Sequence, residues 1–229
     1  MSFAVMQPYL FPYLGYYQLV SAVDKFVFYD DVTFIKGGYI NRNNILSNGK
    51  AQRFTIPVPG MSSNTLINQL NFDGNVKKTL KTIEQSYKKA PYFEHIFPLI
   101  EVVLNDENRR VDHICAKSIS VVFEYLDINK DFHFSSEFDY NRDLSAADKL
   151  IAMADVLKSS DYINSPGGKS LYNKEYFAEK EIYLSFIETE KYEYSQNTDG
   201  FIPHLSMIDV LMWNNKEQVI EMLTKYKLV

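Results

Sequence analysis

Short apolar runs alternate with stretches of helical spacing at both ends of this chain. Near the N-terminus, FAVMQ is typical of a buried strand ended by Pro8, YLGYYQLVSAV has helical spacing, and FVFYDD is typical of a second strand. The pattern resumes later with FHFSSEF, SAADKLIAMADVLKSS, DYIN and EIYLSFIET, and two helical stretches close the chain. Because strands separated by helices pair in parallel, this order predicts an α/β fold with a mostly parallel sheet.

Residues 74–127 interrupt the alternation. Helical spacing predicts three successive helices here, in KKTLKTIEQSYKKA, YFEHIFPLIEVVLN and RRVDHICAKSISVVFEYLDI. We interpret them as a helical insertion in a single domain of 229 residues. Before the insertion, KGGYINRNNILSNGK predicts a loop, AQRFTIPVPG a third strand, and NTLINQLNF is compatible with another strand.

The balance of charges argues against a nucleic-acid partner. The net charge is −5 and the pI is about 5.4, whereas nucleic-acid binders usually present a basic face. The single cysteine, Cys115, cannot form a disulfide within the chain. No apolar run approaches the roughly 20 residues of a membrane span, and no signal peptide is visible. We therefore expect a cytoplasmic protein without a membrane partner.

Polar residues follow the first two predicted strands, and open α/β sheets bind ligands at the carboxyl ends of their strands. Gln7 and Tyr9 follow the first strand, and Asp30 and Asp31 follow the second, with Lys36 soon after. An aspartate pair suits a metal site or a general base, and it suits an ordinary turn equally well. The four histidines have no ligand spacing to one another, so we predict no metal site.

Two later segments also carry candidate residues. SPGGKS, residues 165–170, has Ile163 where a phosphate loop has its first glycine, so it predicts either an anion-facing glycine turn or a simple turn. His204 lies in FIPHLSMID, just before a helix that Ser206 is placed to cap. Of the histidines, His204 is the candidate general base.

The NRNNI segment places Asn41, Arg42 and Asn43 in the predicted loop. The guanidinium of Arg42 is a planar fork that suits a phosphate or a carboxylate, and asparagine amides suit sugar hydroxyls. A turn with an exposed arginine accounts for the same residues.

The first strand, the proline turn and the helix start resemble the first motif of the HIGH-type nucleotidyltransferases. In those enzymes an H-x-G-H signature at the helix start holds nucleotide phosphates, and Tyr13-Leu14-Gly15-Tyr16 would occupy that place here. The resemblance implies a Rossmann-like sheet. Tyrosine donates a hydrogen bond to phosphate but carries no positive charge, so the missing histidines speak against nucleotidyl transfer itself.

A more specific resemblance spans nearly the whole chain. Four segments, taken in order, resemble the WbqC-like protein family, with small departures at Phe11, Tyr17 and Pro166. They are QPYLFPYLGYYQLVSAVDKFVFYDDVTFIKGGYINRNNI, FTIPVPG, DYINSPGGKSLYNKEYF and FIPHLSMIDVL. The resemblance implies a group-transfer enzyme of bacterial surface-polysaccharide (O-antigen, lipopolysaccharide) biosynthesis. The implied reaction is transfer of an acyl or aminoacyl group to a nucleotide-linked amino sugar.

The resemblance also implies that the motif residues line one pocket at the carboxyl edge of the sheet. His204, Asp30 and Asp31 would be catalytic, and Arg42 and Lys36 would hold the diphosphate. The implied substrate-binding residues are Gln7, Tyr9, Tyr13, Gly15, Tyr16, Lys36, Asn41, Arg42, Asn43, Ser165, Gly167, Tyr172, Ser206 and Asp209.

The implied partners are a nucleotide-linked sugar and an acyl or aminoacyl donor, with nucleic acid only in the form of an aminoacyl-tRNA donor. The sequence identifies neither a cofactor nor an oligomeric state. Two other hypotheses remain open. One is a nucleotidyltransferase or ATP-dependent ligase of the HIGH type, which would bind ATP or CTP with magnesium, and the other is a non-catalytic sugar-binding protein.

Overall fold

A computed structural model describes all of residues 1–229. In chain order its strands and helices are β1 (Ser2–Met6), α1 (Leu14–Ala22), β2 (Lys25–Phe28), β3 (Arg42–Ser47), β4 (Lys50–Thr55), α2 (Lys77–Tyr87), α3 (Phe93–Leu104), α4 (Val111–Tyr125), β5 (Asp131–Phe134), α5 (Ala146–Leu157), β6 (Asp161–Asn164), α6 (Lys174–Ala178), β7 (Tyr183–Thr189), α7 (Met207–Trp213), α8 (Lys216–Leu223) and β8 (Tyr226–Leu228). Single 3₁₀ turns lie at Ile67–Gln69, Ser135–Glu137 and Pro166–Ser170.

Six strands form the main sheet in the order β5-β2-β1-β6-β7-β8. All neighbours pair in parallel except β8, which is antiparallel to β7. This is the strand order of a doubly wound Rossmann-like sheet, and it confirms the predicted α/β fold with a mostly parallel sheet. The order reverses between β1 and β6, so the carboxyl ends of these two strands mark the switch point at which such sheets bind ligands.

The sheet is buried on both faces, as parallel sheets require. Alternate residues of the strands enter two separate cores: Ala4 and Phe28 belong to a cluster of 48 buried residues, whereas Phe3 and Val5 belong to a cluster of 13. The larger core lies under α1, α3, α4, α7 and α8, and the smaller core lies under α5 and α6. The two faces therefore present different side chains at the carboxyl edge of the sheet.

The predicted helices of the insertion correspond to α2, α3 and α4. The segment before them differs from the prediction. Arg42–Ser47 is a strand rather than a loop, and it pairs with β4 in a separate antiparallel hairpin. Residues 67–69, compatible with a strand in the sequence, form a 3₁₀ turn. Strand β3 escaped the prediction because asparagine disfavours strands, and here Asn43 is satisfied by a main-chain carbonyl instead.

Local capping explains where several helices begin. The Ser145 hydroxyl accepts a hydrogen bond from the backbone N–H of Asp148, as the sequence predicts for the start of α5. The Ser206 hydroxyl accepts one from the N–H of Ile208 and caps α7 in the same way. None of the helices is both long and apolar enough to cross a membrane.

Candidate functional site

A cavity of about 480 Å³ opens at the start of α1, at the carboxyl edge of the sheet. Three segments form it: the first turn of α1, the chain that follows β7, and the chain that precedes α7. Its walls are largely aromatic. The lining residues are Tyr13, Leu14, Gly15, Thr189, Glu190, Lys191, Tyr192, Glu193, Tyr194, Phe201, Pro203, His204, Leu205 and Val210.

The N-terminal end of helix α1 faces this cavity. Tyr13 is the residue that precedes the helix, and its side chain does not cap it, so the positive end of the helix dipole is left for an anionic group. The Tyr13 ring packs directly against Gly15, where a Cβ atom would lie 2.5 Å from Cε2 of Tyr13 and 3.1 Å from Oγ1 of Thr189. Burial raises the pKa of Tyr13, so its hydroxyl remains a donor at neutral pH.

His204 lies on the opposite wall of the cavity. Its ring meets that of Tyr13 edge to face, with 6.3 Å between ring centroids. The side chain is exposed, and the backbone is in the left-handed region at φ +59°. Histidine is one of the non-glycine residues that adopt this region more often, and here it forms the turn that leads to Ser206 and α7. A basic nitrogen beside an aromatic cavity suits a general base.

Another residue with a positive φ, Phe11, lies between the first strand and the cavity. Phe11 is fully buried with φ +40°, which is a genuine outlier for a bulky side chain. Its N–H donates to Oγ of Ser118 at 2.9 Å. Its carbonyl accepts from Nδ2 of Asn43 and from Oγ of Ser206, both at 2.7 Å. We call these three hydrogen bonds the Phe11 clamp, and two of the predicted substrate-binding residues, Asn43 and Ser206, belong to it.

Asp209 lies behind the cavity wall and holds one of its lining residues, Tyr194, by a hydrogen bond. It is fully buried and accepts hydrogen bonds from the Tyr87 and Tyr194 hydroxyls at 2.7 Å and from Nε2 of Gln196 at 2.8 Å. Residues 191–203, which we call the strap, make no hydrogen bond between main-chain groups, so Tyr194 and Gln196 are their chief polar anchors. Burial raises the pKa of Asp209, against the opposing effect of these donors.

Asp30 and Asp31 lie at the carboxyl end of β2, outside this cavity. Asp30 is fully buried and accepts from Oγ of Ser135 at 2.9 Å and from both the N–H and Oγ of Ser136, at 2.9 and 2.6 Å. Asp31 accepts from Nε of Arg142 at 2.8 Å. Both carboxylates tie the end of β2 to the chain that follows β5.

The loop residues predicted to hold a diphosphate lie beside the hairpin. Lys36 is exposed. Nε of Arg42 donates to the Gly38 carbonyl at 2.8 Å, which folds the guanidinium over its own turn. Asn41 is buried and donates to the Ile56 carbonyl at 2.9 Å. None of these side chains lines the cavity that holds His204.

The remaining tyrosines of the opening segment have internal roles. The buried Tyr16 donates from its hydroxyl to the Gln7 carbonyl at 2.8 Å, and the Tyr9 ring lies 5.7 Å from the Tyr16 ring. Burial raises the pKa values of Tyr9 and Tyr16. The prolines and tyrosines at the N-terminus therefore build a rigid aromatic turn.

SPGGKS forms the 3₁₀ turn after β6. A Cβ atom on Gly168 would lie 2.4 Å from Nδ2 of Asn164, so this position needs glycine for packing against the strand end. Ser165 and Tyr172 are half-buried and Gly167 is exposed. Tyr172 lines a separate open depression of about 510 Å³ together with Lys169, Lys174 and Phe186.

The structure brings only some of the motif residues together in this cavity. Of the predicted residues, Tyr13, Gly15 and His204 meet in the cavity. Tyr16, Asn41, Asn43, Ser206 and Asp209 are buried as supports, and Lys36 and Arg42 lie beside the hairpin. The others follow β1, β2 or β6. Whether each one contacts a ligand stays a prediction.

Sequence reasoning missed the aromatic residues of the strap. Tyr192, Tyr194 and Phe201 line the cavity, and Tyr194 also contacts Asp209. The tyrosine pair of KYEYSQN was an available signal, because tyrosine combines a large apolar face with a hydroxyl and is enriched at binding interfaces.

Comparisons with known proteins agree on one family. A model of the WbqC-like protein family matches residues 7–221. The uncharacterized protein Rv1507c of Mycobacterium tuberculosis is 25% identical over 213 residues, which cover 91% of each chain. No solved structure matches the chain. The match covers the strand ends, the Phe11 clamp and the cavity alike, and the chain belongs to the WbqC-like protein family.

Proposed function

We propose that this protein is a group-transfer enzyme of bacterial surface-polysaccharide biosynthesis, acting in the cytoplasm. Its acceptor is a nucleotide-linked amino sugar, and its donor carries an acyl or aminoacyl group. The observation that carries the proposal is the aromatic cavity at the start of α1, at the carboxyl edge of a Rossmann-like sheet. Nucleotides bind at this place in such sheets because the helix N-terminus stabilises phosphate.

The cavity offers aromatic, hydrogen-bonding and positive groups to such a ligand, with Lys191 between the two lining carboxylates Glu190 and Glu193. Tyr192, Tyr194 and Phe201 provide aromatic faces for a base or a sugar, and the Tyr13 hydroxyl provides a donor. The helix end offers its dipole to the phosphates. The volume of about 480 Å³ lies within the usual range of small-molecule sites.

His204 is the proposed general base. As the amine of the sugar attacks the acyl carbonyl, an amide bond forms and the bond between the acyl group and its carrier breaks. The amine proton passes to the His204 ring, which can return it to the departing carrier. Asp30 is an unsuitable base because it is fully buried and already accepts several hydrogen bonds.

Ligand-induced stabilisation tests the proposal directly. The panel contains nucleotides, nucleotide-linked amino sugars, and acyl and aminoacyl donors, each with and without magnesium. A ligand at about a hundredfold excess over its Kd stabilises the fold by about 2.7 kcal/mol. We expect stabilisation by a nucleotide-linked amino sugar, and stabilisation by none of the panel would refute the proposal.

Substitution of the base separates transfer from binding. His204→Asn should lower the transfer rate about 100-fold or more and leave the Kd of the nucleotide sugar nearly unchanged. His95→Asn, at an exposed position on α3, is the matched control. Binding without any turnover in the unsubstituted protein would instead support the non-catalytic sugar-binding hypothesis.

One observation favours a second candidate function, nucleotidyl transfer or ATP-dependent ligation. Tyr13, Leu14 and Gly15 line the cavity at the place where HIGH-type enzymes hold nucleotide phosphates. Stabilisation by ATP or CTP that requires magnesium would favour this alternative over acyl transfer.

A further inference from the structure

A second group of polar side chains lies at the switch point, on the sheet face covered by α5 and α6. Tyr29 and Tyr172 pack against the smaller core, and Tyr140 is part of it. They reach this place from the end of β2, from the chain after β5, and from the turn after β6. We call this group, with Gln7 and Ser165, the tyrosine crevice.

An ion pair fixes one side of the tyrosine crevice. Oδ2 of Asp31 accepts from the Tyr140 hydroxyl and from Nε of Arg142, both at 2.8 Å. The guanidinium of Arg142 also lies 4.6 Å above the Tyr140 ring. The arginine charge is thereby matched by a carboxylate, so this wall presents oriented hydroxyl and ring groups rather than a free cation.

Tyr29 remains a hydrogen-bond donor at neutral pH. Burial and, secondarily, the charge of Asp31 raise the pKa of Tyr29 to about 12. Tyr172 adds to this effect and a hydrogen bond with Tyr140 opposes it, and all three tyrosines pack against the smaller core on one face of the sheet.

The crevice contains polar side chains that bind nothing within the protein. The side chains of Gln7 and Ser165 and the hydroxyl of Tyr172 are half-buried, and none of them forms a hydrogen bond. They follow the two strands that flank the switch point. The register of β1 and β2 pairs Met6 with Phe28, which puts Gln7 level with Tyr29. Half-buried polar groups without partners, converging at a switch point, are typical of a ligand site.

We propose that the tyrosine crevice binds an uncharged, hydroxyl-rich sugar ring. Aromatic faces pack against the ring carbons, and the tyrosine hydroxyls, Ser165 and the amide of Gln7 hydrogen-bond its hydroxyls. An anion is disfavoured because Arg142 is already paired and Asp31 is negative. The proposal rests on the proposed function only in taking this ring to be a further, uncharged sugar of the same substrate, whose reacting amine stays beside His204 in the cavity at α1.

Removal of hydroxyl groups without loss of the rings tests this inference. The variant Tyr29→Phe/Tyr172→Phe keeps the packing against the core and deletes two donors. Tyr183→Phe is the matched control, since Tyr183 begins β7 at the other edge of the sheet and is 71% exposed. The probes are free N-acetylglucosamine and, separately, UMP, titrated by calorimetry or by NMR.

The double variant should bind free N-acetylglucosamine at least about tenfold more weakly, because two hydrogen bonds are lost, and should bind UMP unchanged. The control should bind both probes as the unsubstituted protein does. If the unsubstituted protein does not bind the free sugar, or if the double variant binds it equally well, the inference is overturned. If the sugar binds as expected but UMP does not, the crevice stands and the proposed nucleotide site in the cavity fails.

Discussion

The Phe11 clamp makes a quantitative prediction about stability. Asn43 and Ser206 come from segments far apart in the sequence, yet both donate to the Phe11 carbonyl at 2.7 Å. The perturbation is the pair of single variants Asn43→Ala and Ser206→Ala together with the double variant. Each removes a buried donor, and only the double variant leaves the carbonyl without a side-chain partner.

The expected costs follow from the hydrogen bonds that each variant loses. Ser206→Ala loses one buried hydrogen bond, about 1 kcal/mol, and the cap of α7, about another 1 kcal/mol. Asn43→Ala loses its bond to Phe11 and the bond that Oδ1 accepts from the N–H of Asn44, about 2 kcal/mol together. An unsatisfied buried carbonyl, which only the double variant creates, adds about 1 kcal/mol or more.

The double variant should therefore be less stable than the sum of the single variants by about 1 kcal/mol. Urea unfolding of the four proteins at constant pH measures this coupling, provided that the m-value is unchanged. Ser160→Ala, at an exposed position, should change the free energy of unfolding by less than about 0.5 kcal/mol. Additivity within about 0.5 kcal/mol would refute the shared-acceptor reasoning.

Two further predictions concern the cavity. Gly15→Ala should leave stability nearly unchanged, because the gain of about 1 kcal/mol in helix propensity offsets the close contact of the new Cβ with the Tyr13 ring. The same contact moves the Tyr13 ring and should weaken nucleotide binding several-fold, as measured by calorimetric titration. Gly74→Ala, where nothing lies within 4 Å of the new Cβ, is the control. Burial raises the pKa of Asp209 above 3.8, so this group's contribution to stability is fully present below that value and falls as the pH rises through the folded-state pKa. The non-titrating Asp209→Asn should accordingly be more destabilising near pH 4 than at pH 7 in urea unfolding, and an equal cost at both pH values would contradict this.

The main features of the fold were predictable because they rest on local signals. Apolar runs such as Phe26–Phe28 and helical spacing in 77–125 predict elements that the structure contains. Capping side chains such as Ser145 and Ser206 predict helix starts. Strand β3 was not predictable in this way, because its stability depends on a hairpin partner and on the contact between Asn43 and Phe11.

The candidate site was predictable only in part. Parallel strands bring their carboxyl ends to one edge, so the order of strands and helices predicts where Gln7 and Tyr13 lie, between β1 and α1. A motif does not reveal whether a polar side chain points to a ligand or to a carbonyl. Asp209 therefore resembled a ligand-binding residue, although it supports the strap from the interior. The path of the strap, which carries Tyr192, depends on that buried support and on no periodic pattern.

The Phe11 clamp links the two proposed ligand sites. The loop from Gln7 to Tyr13 begins at the tyrosine crevice and ends at the cavity, and Phe11 within it is held by three hydrogen bonds. A rigid loop keeps the two sites at a constant separation, which a transfer reaction needs because misplacement by about 1 Å costs about 100-fold in rate. Binding at each site depends on its own side chains and tolerates a small shift of the loop. A clamp variant that still folds should therefore lose far more of its transfer rate than of its affinity for either ligand.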